Sequence, residues 1–316
     1  MSLLPVDVDG DAYWRDVYKQ PLPFWEAALA HIAARHDLAE ERWVRARLGR
    51  NIVFVGKWTV VKLGPPCWPG EMAREAAALR FVAGRLPVAT PVLLAMGMLD
   101  GWDYQVQARL PGTNLWELWN ELESAERASL AEQHGTIMAA LHALPIADAP
   151  PALRFDWDRL LATQRSEWRS AMQQTDLDPA LIARVEPYLG AVEPVLSHDT
   201  DLVLLHGDLT HLNLLVEQQD GRWKITALID WGDSKIGPRT HELISPGVHM
   251  YRGDREALSR WYRGYGSGAA VDEHVVMARA LLYYPDDLAH LIRAVPGAAN
   301  CSDWPAIARC FWHLGG

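Results

Sequence analysis

The sequence predicts an α+β chain built as two lobes, a small strand-rich one followed by a larger, mostly helical one. Three observations carry this reading. Strand-like runs crowd into residues 43–64 and 90–112, helical periodicity dominates beyond them, and the turn Leu110-Pro111-Gly112 separates the two regimes. A chain of 316 residues, 49% of them apolar, can bury a core in each lobe. The expected division is 1–110 and 111–316, with a site in the cleft between them.

The elements follow in order. LPFWEAALAHIAARH, residues 22–36, sets Phe24, Trp25, Ala28, Leu29 and Ile32 at helical spacing. WVRARLGRNIVFVGKWTVVKLG then changes period and reads as three short strands, broken at Gly49-Arg50-Asn51 and at Gly56-Lys57. GEMAREAAALRFVAGRL is an alanine-rich helix stopped by Gly84 and Pro87. TPVLLAMGMLDGWDYQVQARLPG is a strand, a turn at Asp100-Gly101, and a second strand. From about residue 112 onward the pattern is helical, except for one stretch, LLHGDLTHLNLLVEQQDGRWKITALIDWGD, at residues 204–233.

Composition excludes several classes. The formal charge is −10, and the basic residues are scattered, so no basic face offers itself to nucleic acid. No apolar run is long enough for a membrane span, and the acidic opening residues Asp7, Asp9 and Asp11 do not fit a secretory signal. Cys67, Cys301 and Cys310 show no metal or disulfide spacing, and a cytoplasmic location is expected. Most of the fifteen tryptophans are expected in the core.

The exceptional stretch keeps polar groups beside apolar strands. Asp220-Gly221 marks a two-residue hairpin turn between Leu214-Leu215-Val216 and Ala227-Leu228-Ile229. Reflecting the chain about the midpoint of 221 and 222 sets Leu214 against Ile229, and Asn213 against Asp230 at the open end. Two neighbouring oxygen donors suit Mg²⁺, which takes one or two protein carboxylates and fills its shell with water and phosphate. Asp208 lies on the loop leaving the strand Leu202–Leu205, within reach of that point and free to act as a base. Singly, each residue could be a polar hairpin end. His206-Gly207-Asp208, Asn213 five residues on and Ile-Asp-Trp-Gly further along favour a site in combination.

A second pair arises independently. Lys62 ends an apolar strand, and Glu75 falls inside the stripe Met72, Leu79, Val82, Leu86 of the next helix. A carboxylate facing a sheet is costly unless paired, and Lys62 is the expected partner. The alternative is a solvent-facing Glu75 beside Arg74.

HGDLTHLN and IDWGD resemble the catalytic and metal-binding loops of the aminoglycoside phosphotransferase and choline kinase superfamily, which has the bilobal protein-kinase-like fold. The resemblance implies transfer of the γ-phosphoryl group of a nucleoside triphosphate, ATP or GTP, to a hydroxyl of a small molecule. It implies Asp208 as catalytic base, Asn213 and Asp230 as Mg²⁺ ligands, and His206 as a support for the loop. It gives Lys62 and Glu75 to the nucleotide phosphates. Gly49-Arg50-Asn51 would be the loop over the phosphates, adding Arg50 and Asn51, although it lacks the glycine triplet of protein kinases. Gln107-Ala108-Arg109 resembles the hinge that meets the adenine, which adds Gln107 and Arg109.

The acceptor implied is a cationic aminoglycoside or amino alcohol, in keeping with antibiotic resistance, with a neutral sugar or nucleoside as the alternative. Asp254, Glu273, Asp286, Asp287 and Asp303 supply acids in the helical lobe, and Trp157, Trp261, Tyr283 and Tyr284 supply rings. Two positions depart from the family pattern: Glu242 stands where an aspartate is usual and is expected to replace it structurally, and Leu212 is larger than usual.

Three rival readings follow from other patterns. Gly232-Asp233-Ser234 with Asp287 and His290 mimics a serine esterase. His206, Asp208 and His211 could hold a hydrolytic metal. A non-catalytic nucleotide-binding module would have lost the base or a metal ligand, and this chain has lost neither.

Overall fold

Strand alternation decides what each face of the first lobe carries. In this computed structural model, which describes residues 2–38, 41–46, 49–266 and 272–312, strands β1 (Val44–Arg45), β2 (Ile52–Val55), β3 (Thr59–Gly64), β4 (Leu93–Leu99) and β5 (Trp102–Ala108) form one antiparallel sheet. Its order is β1-β2-β3-β5-β4. Ile52, Phe54, Val61 and Leu63 share a core with Trp25, Ala28, Leu29 and Ile32 of helix α1 (Leu22–Arg35). Period two then turns Lys62 to the opposite face, together with its cross-strand partner Gln105. That face is covered by helix α2 (Glu71–Val82), whose Met72, Glu75, Ala76 and Leu79 are buried.

The chain crosses to the second lobe just after β5. Strand β6 (Thr113–Asn114) pairs with β8 (Leu214–Gln219), which pairs in turn with β9 (Arg222–Leu228). Strands β7 (Leu202–Leu205) and β10 (Lys235–Pro238) form a separate antiparallel pair, with Lys235 opposite Leu205. The strands β6 and β10 are corrections to an otherwise helical expectation; at two and four residues they are too short to show a period.

The longer helices that follow are α3 (Ser124–His142), α4 (Trp157–Met172), α5 (Val185–Ser197), α6 (Arg255–Tyr265), α7 (Glu273–Tyr283), α8 (Leu288–Ala294) and α9 (Trp304–Trp312). Helices α3 and α6 cross at glycines: a Cβ on Gly135 would meet the Trp261 carbonyl, and one on Gly264 the Glu132 carbonyl. The backbones approach too closely there for any side chain. Trp25, Trp102, Trp231, Trp261, Trp304 and Trp312 are fully buried, as expected for packing residues.

The hairpin register differs from the expectation. Asp220 (φ 52°) and Gly221 (φ 72°) both adopt the left-handed conformation, so the turn holds only these two residues and Gln219 faces Arg222. A bulge between Leu215 and Val216 then shifts the pairing, and Leu214 faces Leu228 rather than Ile229. Asn213 consequently faces Ile229, whose N–H donates to the Asn213 carbonyl at 2.9 Å, and Asp230 lies one residue beyond.

The helical lobe also buries several histidines. Burial holds His134, His211 and His241 at a pKa of about 3 and His249 at about 4. An unfolded histidine takes up its proton near pH 6.5, so in the window below that value the unfolded state binds more protons and folding weakens as pH falls. Each fully buried ring should remove on the order of 1.4 kcal/mol per pH unit. Urea midpoints measured from about pH 7.5 down to about pH 4.5 should therefore fall steeply below about pH 6.5; a flat profile would show these rings to be hydrated in the folded protein.

Candidate active site

The cleft between the lobes is closed by one buried cation. Lys62 Nζ lies 2.5 Å from Glu75 Oε1 and 2.7 Å from Asp230 Oδ1. Burial works against its charge, but the two carboxylates outweigh burial and raise its pKa. The same ammonium is the main cause that holds the Asp230 carboxyl below its usual range. Glu75 is fully buried, whereas the Asp230 side chain is 45% exposed, so Asp230 alone of the two can also reach a ligand in the cleft. Gln107 braces the pair by donating to Glu75 Oε1 at 3.1 Å. The Lys62–Glu75 pairing inferred from helix periodicity is thus present, and the solvent-facing alternative is not.

The catalytic-type loop is fixed from behind. Glu242 is buried and accepts from the backbone N–H of His206 at 2.5 Å and of Gly207 at 3.1 Å. Burial disfavours its charge, yet His142, His206 and these N–H groups together keep its carboxyl low. This is the structural carboxylate anticipated at a position where the related pattern has aspartate. Gly207 has φ 87°, and a Cβ there would run into the Asp233 carbonyl, so glycine is required twice over.

His206 joins the two loops. Its Nδ1 accepts from the Asp208 N–H at 3.3 Å, which puts the ring proton on Nε2, and Nε2 donates to the Ile229 carbonyl at 3.0 Å. The ring packs edge-on against Trp231 at 4.7 Å. Asp208 and Asp230 are held in mutual register by this one imidazole.

Asn213 donates through Nδ2 to the Asp208 carbonyl at 2.7 Å and to Asp208 Oδ2 at 2.9 Å. Its carboxamide oxygen makes no hydrogen bond among the described residues. Burial raises the Asp208 carboxyl, against the pull of His206 and the Asn213 amide, with Asp230 and Asp233 adding to the rise. Asp230 itself sits at φ 63°, an uncommon conformation for a residue other than glycine. The donor set offers one accessible carboxylate and one amide oxygen, which fits a hard cation that keeps water and phosphate in its shell.

The other predicted residues divide. Arg50 reaches into the cleft and pairs with Glu71 and with Asp233. The Asn51 Oδ1 is buried without a partner among the described residues. Arg109 turns away: its Nη1 donates to the Gly56 carbonyl at 2.8 Å. The N–H groups of Ala108 and Arg109 bond Val92 and Trp58, so neither is available to a base, and the hinge expectation fails for those donors. Glu71 and Asp233 were not anticipated. Glu71 lies one helical turn before Glu75 and so on the same face, a signal that was legible.

A row of rings runs through the helical lobe. Trp157 packs on His241 at 4.8 Å, His241 on Tyr283 at 4.6 Å, and Tyr283 on Tyr284 at 4.8 Å. Burial raises both phenols, with contributions from the Asp208 and Asp233 charges. Lys235, 8% exposed, lies over the Phe155 ring at 5.1 Å and makes no ion pair among the described residues. Of the expected acids, Asp254 and Asp303 accept from the N–H groups of Ala257 and Ala306 and cap helices. Asp286 borders a surface cavity with His290 and Arg293. Trp261 is stacked on Tyr265 in the core.

The rival sites do not form. The Ser234 hydroxyl is buried and donates to the His206 carbonyl at 3.2 Å, while His290 borders the cavity with Asp286 and Arg293, whose lining does not include Ser234. His211 is buried beside Trp119, and no group of three metal-binding side chains occurs among the described residues. No helix there is long and apolar enough to cross a membrane.

Known proteins are similar to this chain. Viomycin phosphotransferase of Streptomyces vinaceus is 31% identical over 184 residues, 55% of this chain and 61% of that protein. An aminoglycoside 3'-phosphotransferase of Niallia circulans is 24% identical over 201 residues, covering 64% and 72% of the two chains. The chain therefore spans about three fifths of the first relative and nearly three quarters of the second. The structure of the GDP and kanamycin complex of APH(2")-IIia superposes with a TM-score of 0.67 over 89% of this chain and 95% of that one, at 19% identity, a likeness of fold. A profile described as the phosphotransferase enzyme family matches residues 47–279, and the chain belongs to that family.

Proposed function

We propose that this protein is a small-molecule O-phosphotransferase that moves the γ-phosphoryl group of ATP or GTP to an acceptor hydroxyl. The observation that carries this reading is the joint placement of Lys62, Glu75, Asp230, Asn213 and Asp208 about one cleft. Phosphoryl transfer needs positioning and charge neutralisation more than covalent chemistry, and this set supplies both. Lys62 holds phosphate oxygens, with Glu75 fixing its ammonium. Asn213 and Asp230 hold Mg²⁺, which neutralises phosphate charge when bound. Asp208, with its carboxyl raised by burial and oriented by Asn213, positions the acceptor hydroxyl and takes its proton. The chain acts without nucleic acid or membrane partners.

Two acceptor classes compete. Tyr283 and Tyr284, whose phenols feel the Asp208 and Asp233 charges, favour a cationic acceptor, since aromatic faces and carboxylates both attract positive charge. Viomycin and aminoglycoside phosphotransferases among the relatives support it. The unpaired Lys235 favours the second reading, a neutral sugar or nucleoside.

Asp208→Asn should lower turnover by roughly 10²–10⁴ and leave the melting temperature nearly unchanged. Near wild-type transfer in a coupled nucleoside-diphosphate-release assay would remove Asp208 from the mechanism. Asp230→Ala should abolish the Mg²⁺-dependent part of the melting shift caused by a non-hydrolysable triphosphate. An undiminished shift would mean that Asp230 is not a ligand. The same release assay, run over aminoglycosides, viomycin, choline-like amines, neutral sugars and nucleosides, should show cationic acceptors turned over with a kcat/KM that drops as salt rises. Turnover confined to neutral acceptors and indifferent to salt would establish the second class.

A further inference from the structure

Arg50 is held at both ends. The hydroxyls of Tyr13 and Tyr18, from the segment preceding α1, donate to the Arg50 and Gly49 carbonyls, each at 2.6 Å. Tyr13 is fully buried, so the backbone of this turn is anchored on the lobe core. The guanidinium lies over the Trp68 ring at 5.4 Å, pairs with Glu71 Oε1, and crosses the cleft to Asp233 Oδ1 at 3.3 Å. It is the first-lobe cation that touches the segment just after Asp230 from above, as Lys62 touches Asp230 from below.

The surroundings make this arrangement exchangeable. Glu71 and Asp230 flank Gly232, where a Cβ would stand 3.9 Å from Glu71 Oε1 and 3.8 Å from Asp230 Oδ1. Glu71 is buried and its Oε2 has no partner among the described residues. Three carboxylates, Glu71, Asp230 and Asp233, thus border the place where phosphates must come. A triphosphate brings several more negative charges to it. The Arg50 and Asp233 side chains are each 43% exposed, so their bond is screened and individually modest. The buried Lys62–Glu75 pair cannot be given up so cheaply, because it would strand a charge. An entering polyanion therefore finds one cation ready to change partners.

We propose that Arg50 is a positioning residue with two alternative outer partners: it keeps Glu71 throughout, in the empty enzyme it latches the lobes through Asp233, and in the loaded enzyme it exchanges Asp233 for the triphosphate. This rests on the phosphotransferase reading above. Asp233 is then a competitor of the nucleotide for Arg50. It follows that removing the competitor and removing the cation act in opposite directions, which a merely structural tether does not produce.

The test is calorimetric binding of the imido analogues of ATP and GTP, with Mg²⁺, to the full chain and to Arg50→Ala, Asp233→Asn and the double variant. For whichever analogue binds, Arg50→Ala should weaken affinity by about tenfold or more. Asp233→Asn should tighten it about two- to fivefold, the range of an exposed ion pair. In the Arg50→Ala background, the gain from Asp233→Asn should shrink to the small part due to direct repulsion of the triphosphate. If Asp233→Asn weakens binding, or tightens it as much without Arg50 as with it, the latch is overturned while the kinase reading stands. If the wild type binds neither analogue, the kinase reading falls and the latch falls with it. Should a variant lose its cooperative melting transition, Arg50→Lys and Asp233→Ser replace it and must keep the same opposite signs.

Discussion

The buried ammonium of Lys62 is the constraint on which the cleft depends. An uncompensated charge in that position would cost several kcal/mol, so Glu75 and Asp230 must both approach it. Each partner belongs to a different part of the molecule: Glu75 to α2, Asp230 to the segment after β9. The sheet, its covering helix and the second lobe are therefore drawn to one point by one cation. The same requirement explains why Gln105 and Gln107, both buried on that face of β5, are amides. Gln107 donates to Glu75, and Gln105 bonds Gln107 and the Met72 carbonyl, so the polar face of the sheet is satisfied internally.

Behind the cleft a second network performs the corresponding task for the catalytic-type loop. Glu242 gathers two consecutive N–H groups, His206 spans from the Asp208 N–H to the Ile229 carbonyl, and Asn213 ties to Asp208 twice. None of these contacts involves a side chain free in solvent, and a buried hydrogen bond that cannot be replaced by water is strongly directional. Asp208 and Asp230 are consequently placed by backbone groups that neither residue controls. Precision in the reacting groups is inherited from the non-reacting ones.

Much of this was legible in the sequence, and the exceptions have physical causes. Lys62 and Glu75 could be paired from period two in a strand and the apolar stripe of a helix, because an unpaired charge on either face would be untenable. Asp208, Asn213 and Asp230 could be brought together from a hairpin signal, although the register was misjudged. The turn needed two left-handed residues, and the bulge at Leu215 leaves no mark in composition. The strand β10 escaped because a lysine, a glycine and a proline among four residues hide its pairing with β7. The hinge donors escaped for another reason. Side-chain identity at 107–109 says nothing of which carbonyl a backbone N–H will find.

The acceptor was the least legible part, and the fate of the acidic residues explains why. Asp254 and Asp303 begin helices, where an aspartate satisfies orphan N–H groups and complements the helix dipole. Such residues raise the negative charge of the lobe while serving the ends of their own helices. Negative charge near Asp208 comes instead from Asp230, which Lys62 pairs, and from Asp233, which Arg50 partly neutralises. A net charge of −10 therefore does not fix the charge of one site wall. What distinguishes that wall is its run of rings, contributed by the start of α4, by the single turn Arg239–Glu242 and by the end of α7. Residues so far apart in the chain meet only through the packing of the helical lobe. In the proposed function, selectivity for an acceptor is accordingly a property of that packing, whereas the proposed phosphoryl-transfer groups sit in short local motifs.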